Sequence, residues 1–155
     1  MRAVDPTRFR SVMGNFATGV TVVTATGPAG PVGMTANAVT SLSLDPLLLL
    51  VAFDNTARTL QVVRDTERFG VNVLAKHQSD LARLFASKVP EDAKFAGVPH
   101  QVYEGIPVID GTLAWVGCRL VQLVPGGDHT IGIGAVESAE AGDGTPLLWF
   151  RGAYR

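Results

Sequence analysis

One of the three histidines sits beside a carboxylate in the stretch PGGDHTIGIGAV, residues 125–136. Asp128 and His129 are the residue types of an acid–base pair, and Gly132 and Gly134 are the residue type of a nucleotide loop. Spacing argues against both. The dinucleotide fingerprint G-x-G-x-x-G lies between a strand and a helix, whereas Gly132-Ile133-Gly134 lies inside a β pattern and Glu137 takes the third glycine's place. Neighbouring residues of a strand point to opposite faces, so a direct Asp128–His129 pair is not expected. Asp128 is expected to shape the turn through nearby backbone amides. His129 is then either a structural side chain or a donor to a polar ligand group or a phosphate.

A second group of residues suits anion binding. GMTANAVTSLSLDP, residues 33–46, offers Thr35, Asn37, Thr40, Ser41 and Ser43. These short polar side chains either satisfy turns or present hydroxyls, an amide and backbone N–H groups to an anion such as a phosphate. NTARTL, residues 55–60, places Thr56 and Thr59 beside Arg58 at an expected helix start, where the dipole favours negative charge. Two such segments, each next to a strand, point to a phosphate-bearing ligand whose identity the spacing does not give.

Other chemistries find no pattern. There is no P-loop, no G-x-S-x-G and no H-E-x-x-H. His77, His100 and His129 are scattered over separate elements, which does not suit a zinc site. The single cysteine, Cys118, rules out an internal disulfide and reads as a buried small hydrophobe. A net charge of −1 without a run of either sign offers no electrostatic footprint for nucleic acid. The apolar run PLLLLVAF falls far short of the ~20 residues that cross a bilayer. MRAVDPTRFR lacks the apolar stretch of a signal peptide, so the expected location is cytoplasmic.

The elements that must carry these residues fit one domain, residues 1–155. Hydrophobic residues make up 46% and charged residues 17%, so the chain is globular and leaves apolar surface for a partner; a homodimer is the commonest solution. An opening helix is expected over DPTRFRSVMGNFATG, capped by Asp5, with Phe9, Val12, Met13 and Phe16 on one face and Gly19 at its end. GVTVVTAT, LLLLVAF and FGVNVLA read as strands, the second covered on both faces. TARTLQVVRDTER and SDLARLFAS read as helices, the latter capped by Ser79 or Asp80. Residues 88–111, with their prolines and glycines, read as a surface excursion with little regular structure. TLAWVGCRLVQLV alternates from Leu113 onward, HTIGIGAVESAE follows the turn PGGD, and PLLWFRGAYR reads as one final strand. Six or seven strands with three short helices give a mainly β fold, a barrel with peripheral helices.

Across nearly the whole chain the sequence resembles the flavin reductase family with the split-barrel FMN-binding fold, the reductase components of two-component flavin-dependent monooxygenases. The resemblance rests on an ordered series: FATGVTVVTA, GMTANAVTSLSLDPLLLLVAF, FGVNVLA, LARLFA, GDHTIGIGAV and PLLWFRGAYR. It implies a split β-barrel with peripheral short helices and an NAD(P)H:flavin oxidoreductase. Such an enzyme reduces FMN or FAD with NADH or NADPH and passes reduced flavin to a separate monooxygenase. It further implies that Met34, Thr35, Ala36 and Asn37 lie against the isoalloxazine and ribityl chain, with Thr40 and Ser41 near the phosphate. Asn55, Thr56, Ala57, Arg58 and Thr59 would hold the other side of the phosphate tail, with Ser87 and Lys88 approaching it. His129, Arg151 and Tyr154 would lie on the nicotinamide side, in a homodimer with the flavin near the subunit interface. The alternative is a split-barrel flavin- or haem-binding protein without reductase activity.

Overall fold

Helix α1, Pro6–Met13, starts as its sequence dictates: Asp5 accepts the Arg8 amide at 2.8 Å and Pro6 occupies the first turn. In this computed structural model, which describes residues 2–155, α1 stops at Gly14 and not at Gly19, which belongs to the short strand β1, Thr18–Gly19. No residue of α1 is buried, so the stripe of Phe9, Val12 and Met13 faces outward, and Phe16 lies beyond the helix.

The body is a seven-stranded antiparallel sheet. Its strands are β2 (Thr21–Gly27), β3 (Gly30–Ala36), β4 (Val39–Leu44), β5 (Leu47–Asp54), β6 (Arg68–Val73), β9 (Ala114–Gly126) and β10 (His129–Ala141). Their spatial order is β3-β2-β6-β9-β10-β5-β4, and the sheet curls until β3 approaches β5. Helix α2, Arg58–Thr66, connects β5 to β6 and buries Leu60 and Val63. It closes an inner core with Val23, Val51, Phe53, Phe69, Val71 and Cys118. Burial pushes the Cys118 thiol up to about 12, with Glu137 adding to the effect, so it stays neutral and inert.

The outer face of β2 carries a second core. Helix α3 (Ser79–Ala86) and helix α4 (Glu91–Phe95) pack there with a hairpin of β7 (His100–Tyr103) and β8 (Ile106–Ile109). Residues 88–111 are therefore not a loose excursion. Phe95, Val98, Ile106 and Ile109 are buried, and Thr24 donates to the Pro107 carbonyl at 2.6 Å. Glu104 and Gly105 both have positive φ and form the tight link of the hairpin, while Pro90 caps α4 and Pro107 lies within β8. Both faces of β2 are covered, from Thr21 to Ala25. In β5 only Leu49, Val51 and Phe53 are buried within one chain; Leu48, Leu50 and Ala52 are half-covered. A continuous apolar run shows that both faces avoid water, not what covers them.

The capping of α3 also differs from expectation. A 3₁₀ turn, Lys76–Gln78, precedes it, and Gln78 stands at the cap, its side chain accepting the Ala75 amide at 2.8 Å. The last segment is two strands, β11 (Leu148–Phe150) and β12 (Ala153–Tyr154), around an Arg151–Gly152 turn with positive φ at both residues. β11 pairs with β1, and Arg151 donates to the Gly14 carbonyl, fastening the end of α1.

The β9–β10 hairpin settles the glycine pattern. Gly127, at φ +71°, and Asp128 form a two-residue link between Gly126 and His129. A Cβ on Gly132 would come within 2.6 Å of the Phe53 ring, and one on Gly134 within 2.7 Å of both Phe69 and Cys118. These glycines make room for two aromatic rings packed edge to face at 5.9 Å. The expected alternation along β9 breaks at a register shift opposite Glu137, which leaves Gly117 and Cys118 both buried.

Candidate functional site: a trough across the barrel

Three depressions join into one trough. The first is a cleft of about 540 Å³ at the start of α2, lined by Met34, Thr35, Thr56, Ala57, Arg58, Thr59, Ser87 and Lys88 among others. The second is an inner pocket of about 210 Å³ that shares Thr35 and Ala86 with the cleft. The third is an outer groove of about 800 Å³ that shares Asn37 and Trp149 with the inner pocket.

The cleft offers groups that suit an anion. The cap position of α2 is Ala57, whose methyl group accepts no hydrogen bond, so the first-turn amides of a nine-residue helix have no side-chain cap. Asp54 shapes the approach: one carboxylate oxygen accepts from the Thr56 amide at 2.8 Å and the Thr56 hydroxyl at 2.7 Å. Those Thr56 hydrogen bonds hold the Asp54 carboxyl below the usual carboxylate range, with smaller help from the charges of His129 and Lys88. Lys88 is in no ion pair among the described residues. Open helix amides beside an unpaired lysine fit the phosphate of a flavin nucleotide.

The inner pocket and groove are mostly apolar. Trp149 and Tyr154 pack at 4.8 Å, and the Arg83 guanidinium lies 5.3 Å from the Tyr154 ring centre. Burial raises the Tyr154 phenol, against a smaller opposing effect of Arg83, so it stays protonated. Asn37 lines both pocket and groove, and Thr40 lines the groove rather than the α2 cleft. The Thr35 hydroxyl is already committed, donating to the Ala82 carbonyl at 2.6 Å. Ala36 is buried in the inner core, and Ser41, opposite Leu49 in the sheet, is exposed and lines none of the three depressions.

Three further residues stand outside the trough lining. Asn55 donates to the Gly127 carbonyl at 3.2 Å and accepts from Thr130 at 2.6 Å, locking the loop before α2 to the β9–β10 hairpin. Arg151 donates to the Asn15 side chain at 3.0 Å. His129 lies across the sheet from Asp54. Its Nδ1 is 2.7 Å from the Asp128 carboxylate, which corrects the expectation that the two side chains diverge. Asp128 belongs to the turn, where strand alternation does not apply. A carboxylate only accepts, so Nδ1 carries the proton and Nε2 is the free position.

Sequence reasoning missed Arg10, Trp149, Glu91 and Lys94. Arg10 is the one charged residue among those lining the outer groove. It lies on α1, where the sequence shows an apolar stripe and gives no sign that the helix borders a groove. Trp149 sits in a segment taken for a plain strand. Glu91 and Lys94 lie in the cleft on α4, inside the stretch read as irregular.

Known proteins share this sequence pattern and fold. Residues 13–155 match the flavin reductase like domain. The chain is 41% identical to the reductase subunit HsaB of a flavin-dependent monooxygenase from Mycobacterium tuberculosis, over 97% of this chain and 82% of that protein. It is 37% identical to an NADH-dependent flavin reductase from a Rhodococcus species, over 98% and 86% of the two chains. The solved structure of Streptomyces globisporus NADH:FAD oxidoreductase in complex with NAD and FAD fragments superposes with a TM-score of 0.92. That match has 38% identity and covers all of this chain and 96% of the other. The fold is of the split-barrel type expected from the sequence. The chain belongs to the flavin reductase family.

Proposed function

We propose that this flavin reductase transfers hydride from NADH or NADPH to FMN or FAD and releases the reduced flavin to a separate monooxygenase. The observation that carries this reading is the continuous trough, with an open helix N-terminus and Lys88 at one end and Asn37, Trp149 and Tyr154 at the other. When bound, the flavin and nicotinamide supply the redox chemistry. The protein's part is to bind, orient and exclude water. First-turn amides of α2, Ser87 and Lys88 hold the phosphate end. The backbone of Met34 and Thr35 carries the middle, kept in place by the Thr35–Ala82 hydrogen bond. Trp149 and Tyr154 shield the inner pocket. Asp128 fixes the His129 ring so that Nε2 faces away from it as a contact for the nicotinamide cofactor.

The same reading includes a homodimer. Phe9, Val12, Met13 and Phe16 lie exposed at one end, and Leu42, Leu44 and Leu47 along another edge, Leu44 at 82%. That much exposed apolar surface favours a second copy. Light scattering is expected to give twice the chain mass; a monomer at micromolar concentration overturns the dimer.

A steady-state assay tests the function: NADH or NADPH consumption with FMN, FAD or riboflavin added. Turnover that depends on added flavin is expected. Flavin binding without consumption of either nicotinamide would leave a split-barrel flavin-binding protein and sink the reductase reading. In the same assay His129→Ala is expected to raise the KM for the nicotinamide about tenfold, the size of one lost charged hydrogen bond, with flavin affinity nearly intact. Equal loss of both would make His129 a structural residue.

A further inference from the structure

The α2 cleft holds more charge than an anion site needs. Its lining includes the cations Arg58, Lys88 and Lys94 against the carboxylates of Asp54 and Glu91. Glu91 and Lys94 are not solvated bystanders. Their side chains are only 12% and 6% exposed, and they meet at 2.9 Å. The Glu91 carboxylate accepts the Gly33 amide at 2.8 Å, and the Lys94 ammonium donates to the Gly33 carbonyl at 3.2 Å and the Phe85 carbonyl at 3.4 Å. Together they occupy both backbone polar groups of Gly33, which opens the lining segment of β3. Glu91 therefore cannot swing away.

Its second oxygen reaches Arg58. The guanidinium Nη2 lies 3.1 Å from Glu91 and donates to the Val89 carbonyl at 2.7 Å. Arg58 is the first residue of α2, beside the open amides. A free guanidinium there would grip a phosphate with two parallel hydrogen bonds. The observed one is turned toward α4.

We propose that Glu91 acts as a release residue: by holding Arg58 against α4 it weakens the cleft's grip on the flavin phosphate and lets reduced flavin leave. The proposal rests on the reading of the α2 cleft as the flavin phosphate site. Its physical logic is that of product release. A reductase that supplies a second protein gains nothing from retaining its product, and release limits turnover in many enzymes. Glu91 is thus a positioning residue that acts through Arg58.

The test compares FMN with riboflavin, which lacks the phosphate, by equilibrium titration and stopped-flow dissociation. Glu91→Gln keeps an acceptor for the Gly33 amide and removes the charge. It is expected to tighten FMN binding about five- to tenfold, slow FMN dissociation to match, and leave riboflavin within about twofold, the scale of one charge-assisted contact. Adding Arg58→Gln to Glu91→Gln should erase the gain. If the lone buried lysine unfolds the first variant, Glu91→Gln with Lys94→Met removes both charges, and the same FMN gain is expected. Equal weakening of FMN and riboflavin, or no FMN gain in a folded variant, overturns the proposal. Lys88→Gln separates the two readings. If it weakens FMN relative to riboflavin while Glu91→Gln gives no gain, the cleft reading stands and the release role falls. If Lys88→Gln changes neither flavin, the phosphate lies elsewhere and both fall.

Discussion

Ala57→Asp is expected to make the protein more stable and its flavin site much worse. Residue 57 caps α2 in extended geometry, φ −71° and ψ 131°, which aspartate adopts freely, and no side chain now caps the helix. Aspartate in place of alanine at such a position adds about 1 kcal/mol of stability. The amides it would satisfy are those offered to the flavin phosphate. The new carboxylate would both occupy them and repel the ligand. A loss of FMN affinity of about a hundredfold, near 2.7 kcal/mol, is expected, with riboflavin little affected. Thermal unfolding and flavin titration on the same sample check both halves. A stable variant that binds FMN normally would show that α2 does not face the phosphate. On this account Ala57 is a position where stability is given up for binding.

The second large effect concerns the glycines of the β9–β10 hairpin. Valine is a strong strand former, so strand propensity alone favours Gly134→Val. The packing forbids it. A Cβ there would lie 2.7 Å from the Cys118 Cβ and 2.7 Å from the Phe69 ring, and Phe69 and Cys118 are both fully buried. Gly132→Val meets the Phe53 ring in the same way, at 2.6 Å. Overpacking of this kind typically costs 1–3 kcal/mol, and about 3 kcal/mol is expected at each site because neither ring has space to retreat. Gly126→Ala is the control: its nearest neighbour would be 3.5 Å away. Urea unfolding should separate the first two from the third. Similar midpoints for all three would mean that the aromatic pair yields easily.

Where local chemistry decides the shape, the sequence reads correctly. Asp5 with Pro6 starts α1, and Gly127 makes the two-residue hairpin. The helix after Asn55 also emerges, with its first turn at Arg58. Errors cluster where shape depends on distant partners. Residues 88–111 fold because Phe95, Val98 and Ile109 join the core outside β2 and Ile106 packs over Gly70 and Gly117 of β6 and β9, contacts no local pattern announces. The clamp of Glu91 and Lys94 depends on α4, whose only local sign is Pro90 followed by a Glu-x-x-Lys spacing. The Asp128–His129 contact was lost by applying strand alternation to a turn residue. The stripe on α1 carries the right period but faces away from this chain's core. Periodicity gives the direction of an apolar face and says nothing of which molecule covers it.

The strand order also bears on how the chain is made. β5 ends at Asp54, yet its inner neighbour β10 begins only at His129. During synthesis the run LLLLVAF must wait for some 75 further residues before its partner exists, since Leu48 pairs with Ala135 and Asp54 with His129. Until then its one neighbour is β4, a short hairpin partner that itself bears exposed Leu42 and Leu44. A two-stranded ribbon is marginal alone in water, and an unpaired apolar edge is a template for other chains. Pairings so distant along the chain also fold slowly. The nascent protein is therefore most vulnerable to aggregation in the interval between the emergence of β5 and that of β10, and slower translation through residues 55–128 would lengthen that exposure.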